Sequence, residues 1–513
     1  MHKKRWLFWI VLAGVAVRLG AWFYFRSHTL ALVTYALPDD ALYYFTIARN
    51  LAHGLGITFD GVHPTNGMHP LWVFVVAPFF WFHLTSWGYI HAVLLLQSLL
   101  DVITLWFIGS TVYDLLPEAR PSNRVTAAAV AAALYAASAI VTIRAINGLE
   151  TGVAALLLVV CLRVFLKLTN TISSWVFLGI ISGLVLLART DLFIVLLPIS
   201  IYTMKRHRAE WLGTVTAISI AFVIVLPWLV WNVYHFGTPL QSSAEAVPIL
   251  AMRKYNVIYS TPSLKFWHLG LDAIKNALKP FWYAGFGLPL LAIVYRSLTG
   301  RKTISEGERT VYYFIGGGVL LLLVHSLFRG FIRDWYVEEL LPLLLMGFGV
   351  SVGANAGKTE ARASGRWTLG ALVILFQVMF YTKPQMTSQE AVVFQGVPLI
   401  QQLTPKANVA ALNSGYYSYF AARTGSIVDL DGVVSAEAVN EIERGDLRGY
   451  LDRNSVSYIL DFAGDFGGYQ NLIDKHMLDD FKAEQIVCLD SLRDPLVLFR
   501  RRTTGDTLLP NPK

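Results

Sequence analysis

The chain has 513 residues, 55% of them hydrophobic and only 15% charged, with 15 Trp, 23 Tyr, 30 Phe and a net charge of +8. That balance is too apolar for a water-soluble globule of this length and reads as a polytopic membrane protein with no nucleic-acid partner. The two cysteines, Cys161 in an apolar run and Cys488 near the C-terminus, offer no disulfide framework, so compartment has to come from charge topology.

Apolar runs long enough, or nearly so, to cross about 30 Å of hydrocarbon fall at 6–25, 87–113, 125–143, 151–166, 175–188, 192–204, 211–234, 281–295, 311–328, 340–353 and 368–381, about eleven crossings. Lys3, Lys4 and Arg5 precede the first run and place the N-terminus in the cytoplasm. No small-residue cleavage site follows that run, so it is expected to be a retained span. If spans alternate, the cytoplasmic loops collect Arg120 and Arg124, Arg163 and Lys167, Lys205, Arg206 and Arg208, Arg296 to Arg309, and Lys358 to Arg366. The loop 234–280 carries Arg253, Lys254, Lys265, Lys275 and Lys279, but a long loop translocates with little regard to charge. Residues 69–82 read as a short re-entrant or interfacial helix.

Between the first two spans lies PDDALYYFTIARNLAHGLGITFDGVHPTNGMHPLW, residues 38–72. Pro38, Asp39 and Asp40 open a helix that ends at His53-Gly54, and the acids can be explained as a helix cap. A carboxylate beside lipid is nonetheless costly unless it faces water or a protein cavity, which makes the pair a functional candidate as well. His63 and His69 bracket a tight turn, Pro64-Thr65-Asn66-Gly67. The spacings of His53, His63, His69, His83 and His91 match no zinc pattern. At the same outer level stand Arg144, Asn147 and Glu150, then Arg189 and Asp191, then Arg329, Arg333, Asp334, Trp335 and Glu338. An arginine at a span end commonly snorkels to headgroups. Charges from four loops at one level predict a charged, outward-facing chamber.

An odd number of crossings puts the tail outside. Residues 384–513 hold 17 acidic and 12 basic side chains, net −5, and alternate short apolar runs (408–412, 426–430, 456–460, 486–490, 496–499) with helix-like stretches at 436–444 and 469–478. The expected fold is a polytopic α-helical module over 1–383, with a first outer loop at 28–86, followed by a soluble α/β domain over 384–513. Tyr416, Tyr417, Tyr419 and Phe420 read as domain core more readily than as a sugar platform.

The N-terminal span, the Asp39-Asp40 pair, ARNLAHGLGITFDG, PTNGMHPLW, NGLETG and LARTD together resemble the bacterial GT-C superfamily of integral-membrane glycosyltransferases, on the side of the protein O-mannosyltransferases and aminoarabinose transferases. The likeness runs to about residue 381. Asp-Asp stands where relatives have Asp-Glu, and Met68-His69-Pro70 where several have Lys-Pro-Pro. The resemblance implies a cell-membrane enzyme that moves a sugar from a polyprenyl-phosphate donor to a glycan, lipid or protein acceptor, with Asp39 as catalytic base and Asp40 as the second acid. Such chemistry calls for a carboxylate to deprotonate the acceptor hydroxyl and for guanidinium groups on the departing phosphate. Arg329 and Arg333 are the first candidates for the phosphate, with Arg189 and Lys254 behind them and Tyr43 and Tyr44 beside the sugar. His63, Asn66, His69 and Glu150 are assigned to the acceptor cleft, and Asp40 with Glu150 to a divalent cation, Mg²⁺ or Mn²⁺. A single displacement with inversion follows. The rival reading is a lipid or glycolipid transporter or flippase, which short spans and membrane charges also suit; against it stand the lack of an internal repeat and the placing of the charges at one face. A noncatalytic surface receptor is a second rival.

Overall fold

The computed structural model describes residues 5–117, 119–206, 210–258, 271–272, 274–275, 287–299, 304–329, 335–354, 387–404, 407–421, 426–488 and 494–503. The expected span at 368–381 and the start of that at 281–295 lie outside them. The chain divides into two compact units: Met1–Ser27 with Leu94–Trp228 and Leu269–Lys383, and His28–Val93 with Leu229–His268 and Pro384–Lys513. The last segment of the second unit starts at Pro384. The first outer loop, however, belongs with the tail, as does part of the long loop after the Trp211–Phe236 helix.

Among the described residues five helices are long and apolar enough to cross a membrane: Arg5–Ser27, Ser86–Leu115, Trp211–Phe236, Glu306–Leu327 and Tyr336–Gly353. Pro121–Ala137 and Ala139–Ala145 make a sixth if that pair, bent by 62°, is one span. Ser138 sits at the bend and caps the second piece through its side chain, which accepts from Val141 N. The remaining expected spans within the described residues are shorter helices, such as Thr151–Leu166 and Ile172–Ala188. A 16-residue helix rises about 24 Å, less than the hydrocarbon thickness.

Small residues let helices of the first unit close on one another. A Cβ at Gly179 would lie 2.6 Å from the Ala217 carbonyl oxygen and one at Gly183 2.8 Å from Ile224 Cβ, so Ile172–Ala188 meets Trp211–Phe236 at backbone distance. Charge is buried here too. Arg18 donates from Nε to Asp101 at 2.6 Å and from its terminal nitrogens to the carbonyls of Ala136 (2.5 Å) and Tyr135 (3.1 Å). The Tyr135 hydroxyl donates to the other Asp101 oxygen at 2.5 Å. Sequence reading passed over this pair, although an acid and a base within predicted spans are the signal that would have found it.

The second unit is built on a five-stranded sheet: β1 (Asn408–Ala411), β2 (Ile427–Asp429), β3 (Val456–Phe462), β4 (Phe481–Val487) and β5 (Leu496–Arg501), in the order β2-β1-β3-β5-β4. β2, β1 and β3 are parallel, and β5 and β4 continue antiparallel. The core gathers Ile442, Leu451, Val456, Ile459, Phe466 and Phe499. The 436–444 helix forms as expected, with Ser435 capping it and Gly445 ending it at φ 78°. The other helix is Ala463–Leu472, several residues earlier than expected. Its loop continuation from Ile473 closes with short turns, which a polar, helix-favouring composition does not announce.

The Asp39–Ala52 helix of the outer loop packs on the Ser414–Phe420 helix, where Arg49 donates to the carbonyls of Tyr419 (2.9 Å) and Ser418 (3.0 Å). Arg253, on the Ser242–Ile258 helix, donates to the carbonyls of Glu443 (2.8 Å) and Leu472 (3.0 Å), at the C-terminal turns of two sheet-domain helices. Its charge therefore serves packing.

Replacing Arg18 by Met leaves Asp101 buried without its cation and is expected to cost about 3–5 kcal/mol, whereas Arg18→Met with Asp101→Leu should cost clearly less. Unfolding of the purified variants in mixed micelles reads both; single and double variants of equal stability would show that the pair is not coupled.

Candidate active site

The parallel strands of the second unit bring their carboxyl ends together, the place where open α/β sheets usually bind ligands. Here that place is filled from within the unit. Asp39, 6% exposed, accepts from Gly415 N (3.1 Å) and Tyr416 N (2.8 Å), one bond to each carboxylate oxygen. Gly415 has to be glycine: an added Cβ would lie 2.4 Å from the Asp39 carbonyl oxygen and 2.9 Å from its Oδ2. The Tyr416 hydroxyl donates to Leu37 O at 2.8 Å. The Gln389 carboxamide, oriented to satisfy both neighbours, accepts from Asp39 N and donates to Leu37 O. The N-cap of the Asp39–Ala52 helix is Pro38, with no side-chain cap. Asp39 thus binds another segment and does not cap its own helix.

Burial pushes the Asp39 carboxyl up to about 7 although the two backbone N–H bonds pull it down, and the neighbouring Asp40 charge adds to the rise. Asp40 is half-buried, more open than its neighbour. Tyr43, one turn on from Asp40, donates to Asp431 Oδ2 at 3.3 Å. Asp431 and Asp429 lie within reach of each other, and burial raises both, Asp429 to about 6, with the Asp429 charge adding to the rise of Asp431. Ser414 donates to Asp429 Oδ1 at 2.9 Å. Asp461, raised by burial to about 6, receives the amides of Leu412 and Asn413 at 2.8 Å. Asp429, Asp431 and Ser414 are absent from the sequence-derived site. The VDLDG run containing the two acids was the available signal.

The other outer-loop candidates divide. Asn66, 1% exposed, is consumed by the backbone: Nδ2 donates to Leu240 O (2.9 Å) and Oδ1 accepts from Ser242 N (3.1 Å). Its side chain clamps the outer loop to the 240–242 segment. Tyr44 is buried and its hydroxyl accepts from His69 N at 3.3 Å, while the His69 ring meets Gln241 at 3.4 Å. His63 is exposed and bonded through Nδ1 to Asp60 at 2.6 Å, a contact that raises the imidazole above its ordinary value.

In the first unit Arg189 is the centre of a second polar cluster. It pairs with Asp191 at 2.8 Å, Glu150 at 3.2 Å and Glu339 at 3.4 Å, with the Tyr336 ring beneath it. His325 meets the same Asp191 at 2.9 Å. Asn147 donates to Glu338 at 3.3 Å. Three carboxylates thus surround one guanidinium, Glu150 among them. Glu150 stands at the N-cap position of Thr151–Leu166 without a side-chain cap bond. Arg333, and the side chains of Arg329 and Lys254, lie outside the described residues. Among the described residues no three His, Cys, Asp or Glu are grouped to hold a metal ion, and Asp40 and Glu150 belong to different units. Neither unit by itself assembles the expected cation site.

Because the folded Asp39 titrates above an ordinary carboxyl, the folded protein holds the extra proton between about pH 4 and 7; the stability tied to that proton is present at low pH and lost as pH rises through 7. The melting temperature of Asp39→Asn relative to wild type should therefore rise from pH 4 to 7 and level off; a difference independent of pH would mean that the group is ionised throughout. Gly415→Ala should cost about 1–3 kcal/mol by forcing Asp39 off its amides, read by thermal unfolding in detergent.

No protein-family model matches the sequence, and no curated protein sequence matches it. Solved structures do. ArnT from Cupriavidus metallidurans bound to undecaprenyl phosphate aligns over 96% of this chain and 98% of its own, with 14% identity and a TM-score of 0.59. The oligosaccharyltransferase AglB from Archaeoglobus fulgidus, in complex with an inhibitory peptide and a dolichol-phosphate, aligns over 99% of this chain and 75% of its own, with 12% identity and a TM-score of 0.58. The same A. fulgidus enzyme in complex with Zn and sulfate gives 11% identity and a TM-score of 0.55, over 95% of this chain and 72% of that one. The chain has the fold of these solved structures.

Proposed function

We propose that the protein is a membrane glycosyltransferase that moves a sugar from a polyprenyl-phosphate donor to an acceptor hydroxyl on the outer face of the membrane. The observation that carries this reading is an acidic pair held rigidly at the start of the outer-loop helix in a chain with this fold: Asp39 locked on two backbone amides, Asp40 beside it and more open. A base needs access as well as basicity. Asp40 therefore takes the role first given to Asp39, and Asp39 becomes the positioning residue.

In the proposed step the acceptor hydroxyl gives its proton to Asp40 as its oxygen attacks the anomeric carbon. The bond from that carbon to the phosphate oxygen breaks on the opposite face, its electron pair leaves with the lipid phosphate, and configuration inverts. Positive character at the sugar carbon is stabilised by the surrounding carboxylates. The growing phosphate charge needs guanidinium donors; with Arg189 engaged by three acids, Arg329 and Arg333 are the remaining arginine candidates. A divalent cation, if bound, would shield the same phosphate charge. The N-terminus in the cytoplasm and the sheet domain outside follow from the positive-inside pattern.

Purified protein with a radiolabelled polyprenyl-phosphate sugar separates this from a flippase, because transfer in detergent needs no second compartment. Asp40→Asn is expected to slow transfer by about 10²–10⁴ with an unchanged melting temperature, whereas Asp39→Asn should change both. Full activity of Asp40→Asn would refute its role as base. No transfer from any lipid-linked sugar to any added acceptor would refute the enzyme.

A further inference from the structure

The second unit carries an open groove of about 680 Å³. One wall is the 59–64 turn of the outer loop, made rigid by Asp60, which accepts from the amides of Val62 (2.9 Å) and His63 (2.8 Å) as well as from the His63 ring. The facing wall comes from the sheet domain: Glu437 and Asn440 on the first turns of the Ala436–Arg444 helix, and Tyr450, whose hydroxyl is fixed between Ser435 and the Asp429 carbonyl, 3.2 Å from each. At its floor is Ser455, the one non-glycine among the described residues with positive φ, at 49°. Left-handed backbone is unfavourable for a serine, and strain of this kind gathers at binding sites. It is held in place partly through Asn408, which donates to the carbonyl of Asn454 at 2.8 Å.

We propose that this groove binds a carbohydrate, and that the carbohydrate is the acceptor glycan of the transfer; the second clause rests on the function proposed above. A sugar ring presents hydroxyls that both donate and accept, and C–H faces that pack on aromatic rings. The lining supplies both kinds of group, with a carboxylate, an amide, an imidazole and a serine hydroxyl, and the half-buried Phe236 ring among them. The volume lies within the range of small-molecule sites and leaves room for more than one ring. One packing contact links the groove's lining to the candidate site. Phe59, in its wall, meets Tyr43 edge-on at 5.5 Å, and Tyr43 lies one turn from Asp40 on the same helix.

The test uses the full-length, detergent-purified protein, fluorescently labelled, on an array of synthetic and bacterial oligosaccharides with a peptide library printed beside it and no lipid donor present. Wild type should retain a subset of glycans. Asn440→Trp, which fills the groove from an exposed helix position, should weaken that signal at least tenfold, and Glu437→Ala should weaken it less, both with melting temperatures within a few degrees of wild type. Retention of peptides in place of glycans, retention of no glycan, or equal binding by wild type and Asn440→Trp would each overturn the proposal. The two readings fail separately: glycan binding lost in Asn440→Trp but no transfer by wild type would remove only the enzyme, whereas transfer whose acceptor KM is the same in Asn440→Trp would remove only the groove.

Discussion

The second unit depends on one carboxylate held by two backbone amides. Asp39 and Gly415 are 376 residues apart, and their bond, with that from Tyr416, joins the loop after the first span to a sheet made at the end of the chain. A buried carboxylate without partners would cost several kcal/mol, so the loop helix has one low-energy seat, and the absence of a side chain at Gly415 is what leaves room for it. Arg49 on two carbonyls and Asn66 on two more backbone groups repeat the device along the same loop. A polar loop is ordered by spending its side chains on the main chain of another segment. With the helix so fixed, Asp40 and Tyr43 stand in a defined place.

Buried charge is managed differently in the two units. In the apolar unit, Arg18 with Asp101 and Arg189 with its three acids follow the rule that an ion taken out of water needs a counter-ion. In the sheet unit the acids have hydroxyl and amide partners in place of cations: burial raises Asp429 and Asp431, which are met by Ser414 and Tyr43, and Asp461 takes amide bonds. Acids raised toward neutrality by burial are the kind of group that exchanges protons in catalysis.

Much of the fold was legible residue by residue. The helix after Pro38 ends at His53, followed by Gly54 at φ 80°, as the His-Gly pair implied. Thr151–Leu166 matches its expected bounds, and all five short apolar runs of the tail became strands, one of them mostly before the expected residues. Chemistry was legible as residue type but not as role. Asp39 and Asn66 look like site residues because they are polar and crowded together, and they are polar because they bind backbone. Arg189 looks like a phosphate ligand until the acids around it are counted. Asp431 drew no attention because its neighbour Tyr43 lies 388 positions away.

The sequence by itself determined the apolar helices, the acidic turn between the first two of them and the α/β character of the tail. Each of these is a local matter, set by hydropathy over one span, by turn chemistry, or by short apolar runs between polar ones. Tertiary structure alone decided which acid is sealed and which is open, that the outer loop folds with the tail, and where the groove lies. Those outcomes rest on hydrogen bonds and close approaches between segments hundreds of residues apart, and no local pattern records the partner.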